Sequence, residues 1–392
     1  MRFGALRHTL WMLATLATAQ IYQIVPVAPV RMPAETVDGN SPAFRDENGV
    51  LHVYTSTGAT PTRMSGANVM ELTEIETGPS VEPRDHYPIW IEGIWRDETD
   101  GTVFGWYHHE PDAQTICGSR KLTAPVIGAL ISHDNGVTFQ DLGPVLTSAH
   151  PPNCSAQNGF FAGGHGDFSV VLDQDKRYFY FLFTSYTGPL SEQGIAIARM
   201  PFEARHNPAG SVFKYFQGEW NEPGLRGLVT PVFPARVAWE RSNADSFWGA
   251  AVHWNKALNS YVAVMNRACC KTNWPQEGIY ISFNADLGNP GGFSAPTKIL
   301  DDSEIGFAPG YYPQIFGLGE GETDTLAGAA TRLFVKGYSR WRIVFGSEIP
   351  EGGTAGEPPP EEPQPCPDLG CEATPRGNAS GSGRPQPASR VR

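Results

Sequence analysis

Short apolar runs recur along the chain, each followed by aromatic-rich segments and closed by a Gly/Pro turn. Apolar and aromatic runs of this length, bounded by turn residues, are typical of β-strands. The dipeptides NG at 48–49 and DG at 100–101 lie between such runs and indicate β-hairpins. Little of the body has the periodicity of a long amphipathic helix. Five units of this kind begin at Ser41, Tyr87, Gly166, Phe247 and Gly310.

The repetition of these units predicts a β-propeller. About 310 residues in five units leave roughly 60 residues per unit, which suits a four-stranded blade with long loops. Bulky aromatic side chains also suit sheets that pack face to face around an axis. We therefore predict an all-β fold, a five-bladed β-propeller. A pair of β-sandwich domains and a six-bladed propeller are the alternatives.

Composition narrows the class of protein further. The 392 residues include 43 Gly and 34 Pro, and only 18% are charged, which disfavours a coiled coil or a helical solenoid. The 10 Trp, 13 Tyr and 21 Phe exclude a wholly disordered chain. The net charge of −12 argues against nucleic acid or an anionic membrane as the main partner.

The two ends of the chain differ from the body. Arg2 and Arg7 precede an apolar run and an A-x-A cleavage pattern, which predicts an exported protein, secreted or periplasmic. An uncleaved anchor or a buried N-terminal segment is the alternative. We expect a monomer without stable membrane insertion after signal cleavage. The predicted domains are a signal peptide over 1–19, a linker over 20–36, the propeller over 37–348 and a disordered Pro/Gly-rich tail over 349–392.

Six cysteines in an exported chain indicate disulfides, although six allow 15 pairings. Cys117 and Cys154 flank one predicted hairpin unit and are candidates to pair. The adjacent Cys269 and Cys270 could form a vicinal disulfide or take separate partners. Cys366 and Cys371 could close a small loop in the tail.

One short stretch carries a resemblance. Residues 132–139 read SHDNGVTF, which is similar to the Asp box, S-x-D-x-G-x-T-W/F, of sialidases and other propellers. The resemblance implies a turn between two outer strands of a blade, tied down by Ser132 and Asp134. In the family this turn lies away from the active site, so it predicts a fold and not a substrate.

The body as a whole resembles the five-bladed propeller glycosidases, the group that contains arabinanases, xylosidases, invertases and levansucrases. The stretches 166–186 and 278–300 carry the resemblance in their hairpins and their spacing of acidic and aromatic residues. It implies three carboxylates projecting from inner strands into a central funnel, one as base or nucleophile, one as acid and one as orienting group. The sequence departs from the pattern at Ser41 and Pro42, where Asp-Pro is expected.

Cleavage of a glycosidic bond usually needs two carboxyl groups, one with a raised pKa that protonates the leaving oxygen. Glu92 lies within the apolar segment YPIWIEGIW, where burial would raise its pKa and suit a general acid. Asp167 follows a Gly-rich approach to an apolar strand. We predict these two acids as the principal catalytic residues. A buried ion pair for Glu92 and a turn cap for Asp167 are the plain alternatives.

Neighbouring residues extend the candidate site. Alternation along the strand GWYHHEP puts His108 and Glu110 on one face, which predicts an imidazole and a third catalytic carboxylate side by side. His86 and His165 each stand beside a candidate acid and are predicted to bind sugar hydroxyls. Solvated strand ends and loops are the alternatives for all of these residues.

Arginines and aromatics complete the predicted site. Arg199, Arg267 and Arg332 lie at strand ends of successive units and would suit a sialidase-like grip on a carboxylate; structural pairing with blade acids is the favoured alternative. Trp90 and Tyr312 are candidate platforms for sugar rings, although most propeller aromatics form the core. We expect no cofactor and no metal ligand set.

The leading hypothesis is thus an exported glycoside hydrolase that acts on an oligosaccharide or polysaccharide. A non-catalytic glycan-binding or scaffolding propeller is the second hypothesis. A sialidase-like or lyase-like enzyme acting on acidic sugars is the third.

Overall fold

The strands of the chain form five sheets arranged around an axis. The computed structural model describes residues 21–34, 37–57, 60–75, 78–118, 122–272, 274–305 and 311–346. Within this part of the chain, the first strands of successive sheets contact one another, and each sheet continues outward mainly by antiparallel pairing. This is the predicted five-bladed β-propeller, and neither a sandwich pair nor a six-bladed ring.

The blades follow chain order, with the innermost strand first in each. Blade 1 contains Ala43–Arg45, Leu51–Thr57, Thr60–Gly66 and Thr73–Ile75. Blade 2 contains Ile89–Arg96, Val103–His109, Val126–Ser132 and Thr138–Leu146, with Ser80–Glu82 at its outer edge. Blade 3 contains His165–Leu172, Tyr178–Ser185, Gly194–Pro201, Phe213–Phe216 and Glu219–Pro223, with Phe233–Pro234 beside its third strand.

The last two blades complete the ring. Blade 4 contains Ser246–Asn255, Ser260–Ala268, Gln276–Asn284 and Thr297–Asp301, with Leu326–Ala327 beside its inner strand. Blade 5 contains Pro313–Gly317, Ala330–Val335, Tyr338–Phe345 and, from the other end of the chain, Tyr22–Arg31. The described helices are short: Ala113–Cys117 and Asp302–Ile305 are α-helical, and Arg84–His86, Leu190–Glu192, Phe202–Ala204 and Pro290–Gly292 are 3₁₀ turns.

The N-terminal segment corrects the predicted domain boundary. Tyr22–Arg31, expected within a linker over 20–36, pairs antiparallel with Tyr338–Phe345 and closes the ring. Pro26 and Pro29 make this segment look unlike a strand, yet proline is tolerated in an edge strand, where its missing N–H faces no partner. The pairing shifts register between Pro26 and Val30.

Side chains from neighbouring blades fill the space between the sheets. Between blades 2 and 3, for example, the Trp106 ring lies 5.0 Å from that of Phe179 and 5.6 Å from that of Phe181. The inner strands approach so closely that a Cβ on Gly93 would lie 2.7 Å from Val170. The aromatic residues that the sequence contributes to each unit are therefore mostly core.

The turn at 132–138 is fastened by its own side chains. Asp134 Oδ1 accepts from the backbone N–H of Thr138 at 2.8 Å, and Ser132 Oγ accepts from that of Gly136 at 2.9 Å. Gly136, at a φ of 76°, also accepts a hydrogen bond from the Tyr54 hydroxyl of blade 1 at 2.8 Å. The turn between two blade 2 strands is thus tied to the neighbouring blade.

Two disulfides lie in the described chain. Cys117 pairs with Cys154, as the hairpin argument anticipated, and Cys269 pairs with its neighbour Cys270. Cys366, Cys371, the predicted signal peptide and the predicted tail lie outside the described residues. No helix in the described ranges is long and apolar enough to span a bilayer.

Candidate active site

The inner strands of blades 2 and 3 each contain one extra residue that interrupts the pairing with the next strand. In blade 2 the pairing of the first two strands shifts register at Glu92. In blade 3 the corresponding shift falls at Asp167, whose φ of 42° is unusual for a residue with a side chain. Bulges re-aim a side chain and are frequent beside active sites. Both predicted catalytic acids are therefore set by local breaks in the strand ladder.

Glu92, His108 and Asp167 form one buried, hydrogen-bonded cluster. Glu92 Oε2 accepts from the backbone N–H of Phe168 at 2.7 Å. His108 Nδ1 accepts from the backbone N–H of Asp167 at 3.1 Å and lies 3.7 Å from Glu92 Oε1. Only 2% of Glu92 and 3% of Asp167 is exposed. The structure thus brings the two predicted acids together around one imidazole.

Two tyrosines from blades 3 and 5 adjoin this cluster. The Tyr186 hydroxyl donates to Asp167 Oδ2. Burial and the charge of Asp167 raise the pKa of Tyr186 well above its ordinary value. Burial and the charges of Asp167, Asp38 and Glu92 do the same for Tyr312. Both hydroxyls therefore keep their protons and can donate hydrogen bonds.

Two further acids next to His108 are open to solvent. Glu110 Oε1 lies 3.5 Å from His108 Nε2, and 31% of the Glu110 side chain is exposed. Asp38 precedes the inner strand of blade 1, and 46% of its side chain is exposed. Glu92, in contrast, is covered by Gly39, where a Cβ would lie 2.8 Å from Oε1. Solvent thus reaches the carboxyl groups of Asp38 and Glu110 but not that of Glu92.

Burial and the charges of neighbouring groups shift the pKa values of these acids. Burial raises the pKa of Glu92 well above its usual value, against the lowering effect of His108, and Asp167 raises it further. Burial likewise raises the pKa of Asp167, while His108 and Tyr186 lower it. Burial also dominates the raised pKa of Asp38, although almost half of that side chain is exposed. The shifts favour the protonated form of each of these three acids.

His108 behaves in the opposite sense. Burial by itself would lower its pKa, but the nearby Glu110 carboxylate and the charges of Glu92 and Asp167 outweigh burial and raise the pKa to about 9. In the neutral ring the proton lies on Nε2, toward Glu110, because Nδ1 accepts from Asp167. The surrounding carboxylates favour a second proton on Nδ1, which lies 3.7 Å from Glu92 Oε1. Protonation there breaks the hydrogen bond that Nδ1 accepts from the Asp167 backbone.

A metal fits this arrangement poorly. Glu92, His108 and Asp167 offer ligand atoms within 4.8 Å of one another. Each of them is already engaged, by Phe168, by the Asp167 backbone and by Tyr186 respectively. A metal ion at this position would have to displace these hydrogen bonds.

Two predicted sugar-binding histidines lie elsewhere. His86 Nδ1 is 2.5 Å from Asp141 Oδ2, in the outer part of blade 2. His165 is buried, with Nε2 3.1 Å from Lys214 Nζ and its ring 4.8 Å from that of Phe183. Trp90, however, does lie at the cluster, with its ring 5.4 Å from that of His108. These two histidines are close to predicted catalytic acids in the sequence. In the fold, their side chains contact other residues.

The three predicted arginines are each engaged within their own blade. The Arg199 guanidinium stacks on Tyr178 and Trp220, at 4.4 and 4.6 Å from the ring centroids. Arg267 forms two 2.8 Å hydrogen bonds with Asp245. Arg332 donates to Ser339 Oγ at 2.7 Å and to the carbonyl of Ala28. In the described chain they form no common anion site, since each one is a structural partner of its blade.

The sequence reasoning missed Asp38 and Tyr186. Asp38 lies three residues before Ser41 and directly before Gly39, the glycine that covers Glu92. Tyr186, at the end of an aromatic run, was indistinguishable from core. An acid just before a predicted inner strand is the signal that would have found Asp38.

Comparison with known proteins gives a fold likeness only. No protein-family model and no curated protein matches the sequence. A solved thermostable family-43 glycoside hydrolase has a TM-score of 0.50 at 12% identity, over 84% of this chain and 98% of that one. The chain thus has the propeller fold of a family-43 glycoside hydrolase.

Two other solved structures are similar at lower scores. A family-43 β-1,3-galactosidase solved with galactodeoxynojirimycin has a TM-score of 0.46 at 10% identity, over 81% of this chain and 94% of that one. An exo-β-1,3-galactanase from Phanerochaete chrysosporium, solved with β-1,3-galactotriose, has a TM-score of 0.46 at 9% identity, over 83% of this chain. The match spans 64% of that galactanase, less than two thirds of its length.

Proposed function

We propose that the protein is a glycoside hydrolase whose reaction centre is the acid cluster at the propeller axis. The observation that carries the proposal is the combination of buried acids with accessible ones around a single imidazole, on a glycoside hydrolase fold. Hydrolysis of a glycosidic bond needs one protonated and one ionised carboxyl group. The raised pKa values in this cluster favour the protonated form that a proton donor needs.

The exposure of the side chains supports a division of roles. Asp38, with its raised pKa and half-exposed side chain, is the proposed proton donor to the leaving oxygen. Glu110, beside His108 and partly exposed, is the proposed carboxylate that attacks or activates water. Glu92 and Asp167, predicted from the sequence as principal acids, are proposed to hold His108 and Tyr186 and to set the charge of the site.

The proposed substrate is a neutral oligosaccharide or polysaccharide. The two galactose-directed relatives make β-1,3-galactotriose a reasoned first substrate. The arabinanase, xylosidase and invertase subtypes implied by the sequence resemblance are the next to assay. The side-chain fastening of the turn at 132–138 supports its interpretation as an Asp box, which bears on the fold and not on the substrate.

Assays of Asp38→Asn and Glu110→Gln test the proposal. Loss of the proton donor should reduce kcat/KM at least about 100-fold for unactivated glycosides. It should reduce kcat/KM much less for aryl glycosides, whose leaving groups need little protonation. Glu110→Gln should reduce turnover of both substrate kinds.

Exposed Glu219, on the outermost strand of blade 3, offers a matched control as Glu219→Gln. Near wild-type turnover in both Asp38→Asn and Glu110→Gln would remove the proposed roles. Near wild-type turnover in Glu92→Gln and Asp167→Asn as well would remove the acid cluster as the reaction centre.

A non-catalytic glycan-binding propeller is the second candidate. The observation in its favour is that Glu92 and Asp167, the two acids that the sequence predicts as catalytic, are almost completely buried. Glycan-array binding by wild type, without release of reducing sugar from any bound glycan, would decide for binding alone.

We also propose export to a secreted or periplasmic location. The predicted signal peptide and two disulfides in the described chain support it, since disulfides persist in oxidising compartments. Mass spectrometry of the protein from its native host should find a mature N-terminus near residue 20. An intact residue 1 in the soluble protein would contradict export.

A further inference from the structure

Trp274, between the second and third strands of blade 4, lies at the centre of a group of aromatic rings. Its ring centroid is 4.5 Å from that of Trp239 and 4.7 Å from that of Phe160. The rings of Phe161 and Trp248 each lie 5.8 Å away. Only 4% of Trp274 is exposed, so this residue is a buried contact between blades and not a surface platform.

One further neighbour of Trp274 belongs to the acid cluster. The rings of Trp274 and Tyr186 are stacked, with their planes 10° apart and their centroids 5.9 Å apart. The Tyr186 hydroxyl in turn donates to Asp167 Oδ2. Stacking restricts the tilt of the tyrosine ring, and that tilt sets the direction in which the hydroxyl points. Trp274 is therefore one side chain away from a predicted catalytic acid.

The backbone of Trp274 adopts a conformation that tryptophan rarely takes. Its φ of 48° lies in the left-handed region, which is unfavourable for a bulky side chain. The Tyr311 hydroxyl donates to the Trp274 carbonyl at 3.1 Å, and the Cys269 N–H donates to the Pro275 carbonyl at 3.3 Å. Backbone conformations of this kind persist only where the surroundings enforce them, and they cluster at active sites.

The hydrogen bond from Tyr186 affects the charge of Asp167. It stabilises the ionised carboxylate and so lowers the pKa of Asp167, against the effect of burial. A tyrosine ring that tilts away would therefore leave Asp167 closer to its neutral form. The other titratable groups that interact with the charge of Asp167 are His108, Glu92, Asp38, Glu110 and Tyr312.

We propose that Trp274 is a positioning residue of this site, which holds the Tyr186 hydroxyl against Asp167 Oδ2 by stacking on the tyrosine ring. The inference rests on the proposed function and adds to it a residue from blade 4. It also gives a reason for the unusual backbone of Trp274. Because the indole is buried, it acts through Tyr186 and does not meet the substrate.

Titration of the Asp167 carboxyl measures this effect without any turnover. In protein labelled with carbon-13 at the aspartate carboxyl, the signal that is missing in Asp167→Asn reports the ionisation of Asp167. Trp274→Leu and Trp274→Met both remove the flat ring, and each should raise the pKa of Asp167 by at least about 0.5 units. Trp274→Phe keeps a ring face and should stay closer to wild type.

A matched control comes from blade 5. Trp341→Leu removes an indole that is equally buried, at 4% exposure, on the strand Tyr338–Phe345. This variant should leave the pKa of Asp167 unchanged. An equal shift in Trp341→Leu and Trp274→Leu would show a general effect of core loss and would overturn the proposal.

A double variant isolates the part played by Tyr186. Tyr186→Phe by itself should raise the pKa of Asp167 at least as much as Trp274→Leu does. In the Tyr186→Phe background, Trp274→Leu should add little, because the hydrogen bond through which it acts is already gone. An undiminished shift in that background would show that the indole acts by another route, and the proposal would fail.

Assays of the same variants separate this inference from the proposed function. On β-1,3-galactotriose, Trp274→Leu should reduce kcat at least about fivefold and change KM less than about twofold, since it alters the charge of the site and no sugar contact. The expected pKa shifts in a protein that hydrolyses no glycoside would support the role of Trp274 and remove the proposed function. Hydrolysis with the same Asp167 titration in wild type, Trp274→Leu and Trp274→Met would overturn this inference and leave the hydrolase standing.

Discussion

Among single residues, the buried Lys214 of blade 3 makes the stability of the fold depend on pH. Its side chain is fully buried, and Nζ donates to the carbonyls of Thr147 and Gly227 at 2.7 and 2.8 Å. Nζ also lies 3.1 Å from His165 Nε2, which accepts because burial and Lys214 hold the His165 pKa well below its usual value. Burial lowers the pKa of Lys214 to about 7.

This lowered pKa predicts the pH dependence of stability. Above pH 7 the folded state has lost a proton that the unfolded lysine keeps until about pH 10.4. Stability from this group therefore rises with pH across that window, by up to about 1.4 kcal/mol per pH unit. The difference in unfolding free energy between wild type and Lys214→Met, from urea unfolding at pH 7, 8 and 9, should grow accordingly. Exposed Lys271→Met should give a constant difference, and a constant difference for Lys214→Met would contradict the buried-charge account.

At the scale of elements, residues 38–43 act as a hub at the axis. Asn40 Nδ2 donates to the carbonyls of Phe168 in blade 3 and Ala250 in blade 4, at 2.6 and 3.1 Å. Ser41 exchanges hydrogen bonds with the Gln314 side chain of blade 5, at 2.8 and 3.1 Å. Gly39 packs against Glu92 of blade 2. One short segment thus contacts every other blade while it carries Asp38.

Asn40→Ala should disturb both stability and activity. It leaves two buried carbonyls unpaired, which costs about 2–4 kcal/mol in total, and it frees Asp38 and Gly39 to move. We expect this loss in chemical denaturation, together with at least a tenfold fall in turnover. Asn48→Ala, in the exposed hairpin turn of blade 1, should change neither. Equal stability and equal turnover in the two variants would contradict a role of residues 38–43 as a hub.

At the scale of the whole molecule, the ring is closed by strands from opposite ends of the chain. Tyr22 and Ile24 pack against the core of blades 4 and 5. Tyr22–Arg31 also pairs with Tyr338–Phe345, and it accepts a hydrogen bond from Arg332 through the Ala28 carbonyl. Without this strand, Tyr338–Phe345 becomes an unpaired edge of the kind that promotes aggregation.

A variant lacking residues 1–31 tests this closure. Loss of two largely buried apolar side chains and of an edge pairing should cost roughly 5 kcal/mol or more, which corresponds to about 10 °C or more in Tm. Light scattering on heating should show earlier aggregation. The variant lacking only residues 1–20 serves as the control and should melt like the full chain. Identical melting of the two variants would show that the fold closes without this strand.

The fold was predictable because its causes are local. Turn dipeptides such as Asn48-Gly49 and apolar runs of strand length mark hairpins without reference to distant residues. The edge strand Tyr22–Arg31 escaped prediction because its prolines oppose a strand by propensity, and only the free edge of Tyr338–Phe345 makes them acceptable. The positions of Cys117 and Cys154 around one hairpin made them candidates to pair, and the structure selects this pairing among the fifteen that six cysteines allow.

The candidate site was predictable in part. Glu92, Asp167, His108 and Glu110 stand out because a charge in an apolar strand is costly unless it has a partner. Tyr186 does not, because nothing near it in the chain reveals that it faces Asp167, whereas the position of Asp38 just before an inner strand is a signal in the chain. Arg199 and His165 were misleading for the same reason, since their partners come from other strands.

By itself, the sequence determined that this chain is an all-β propeller with acids on its inner strands, because strand periodicity and turn chemistry operate over a few residues. Only the tertiary structure decided which acids are buried and which are open. That outcome depends on bulges at Glu92 and Asp167 and on contacts between residues more than a hundred positions apart, such as Asn40 with Phe168. The burial and the charge of a site depend on all the residues around it, and the closure of the ring brings those residues together.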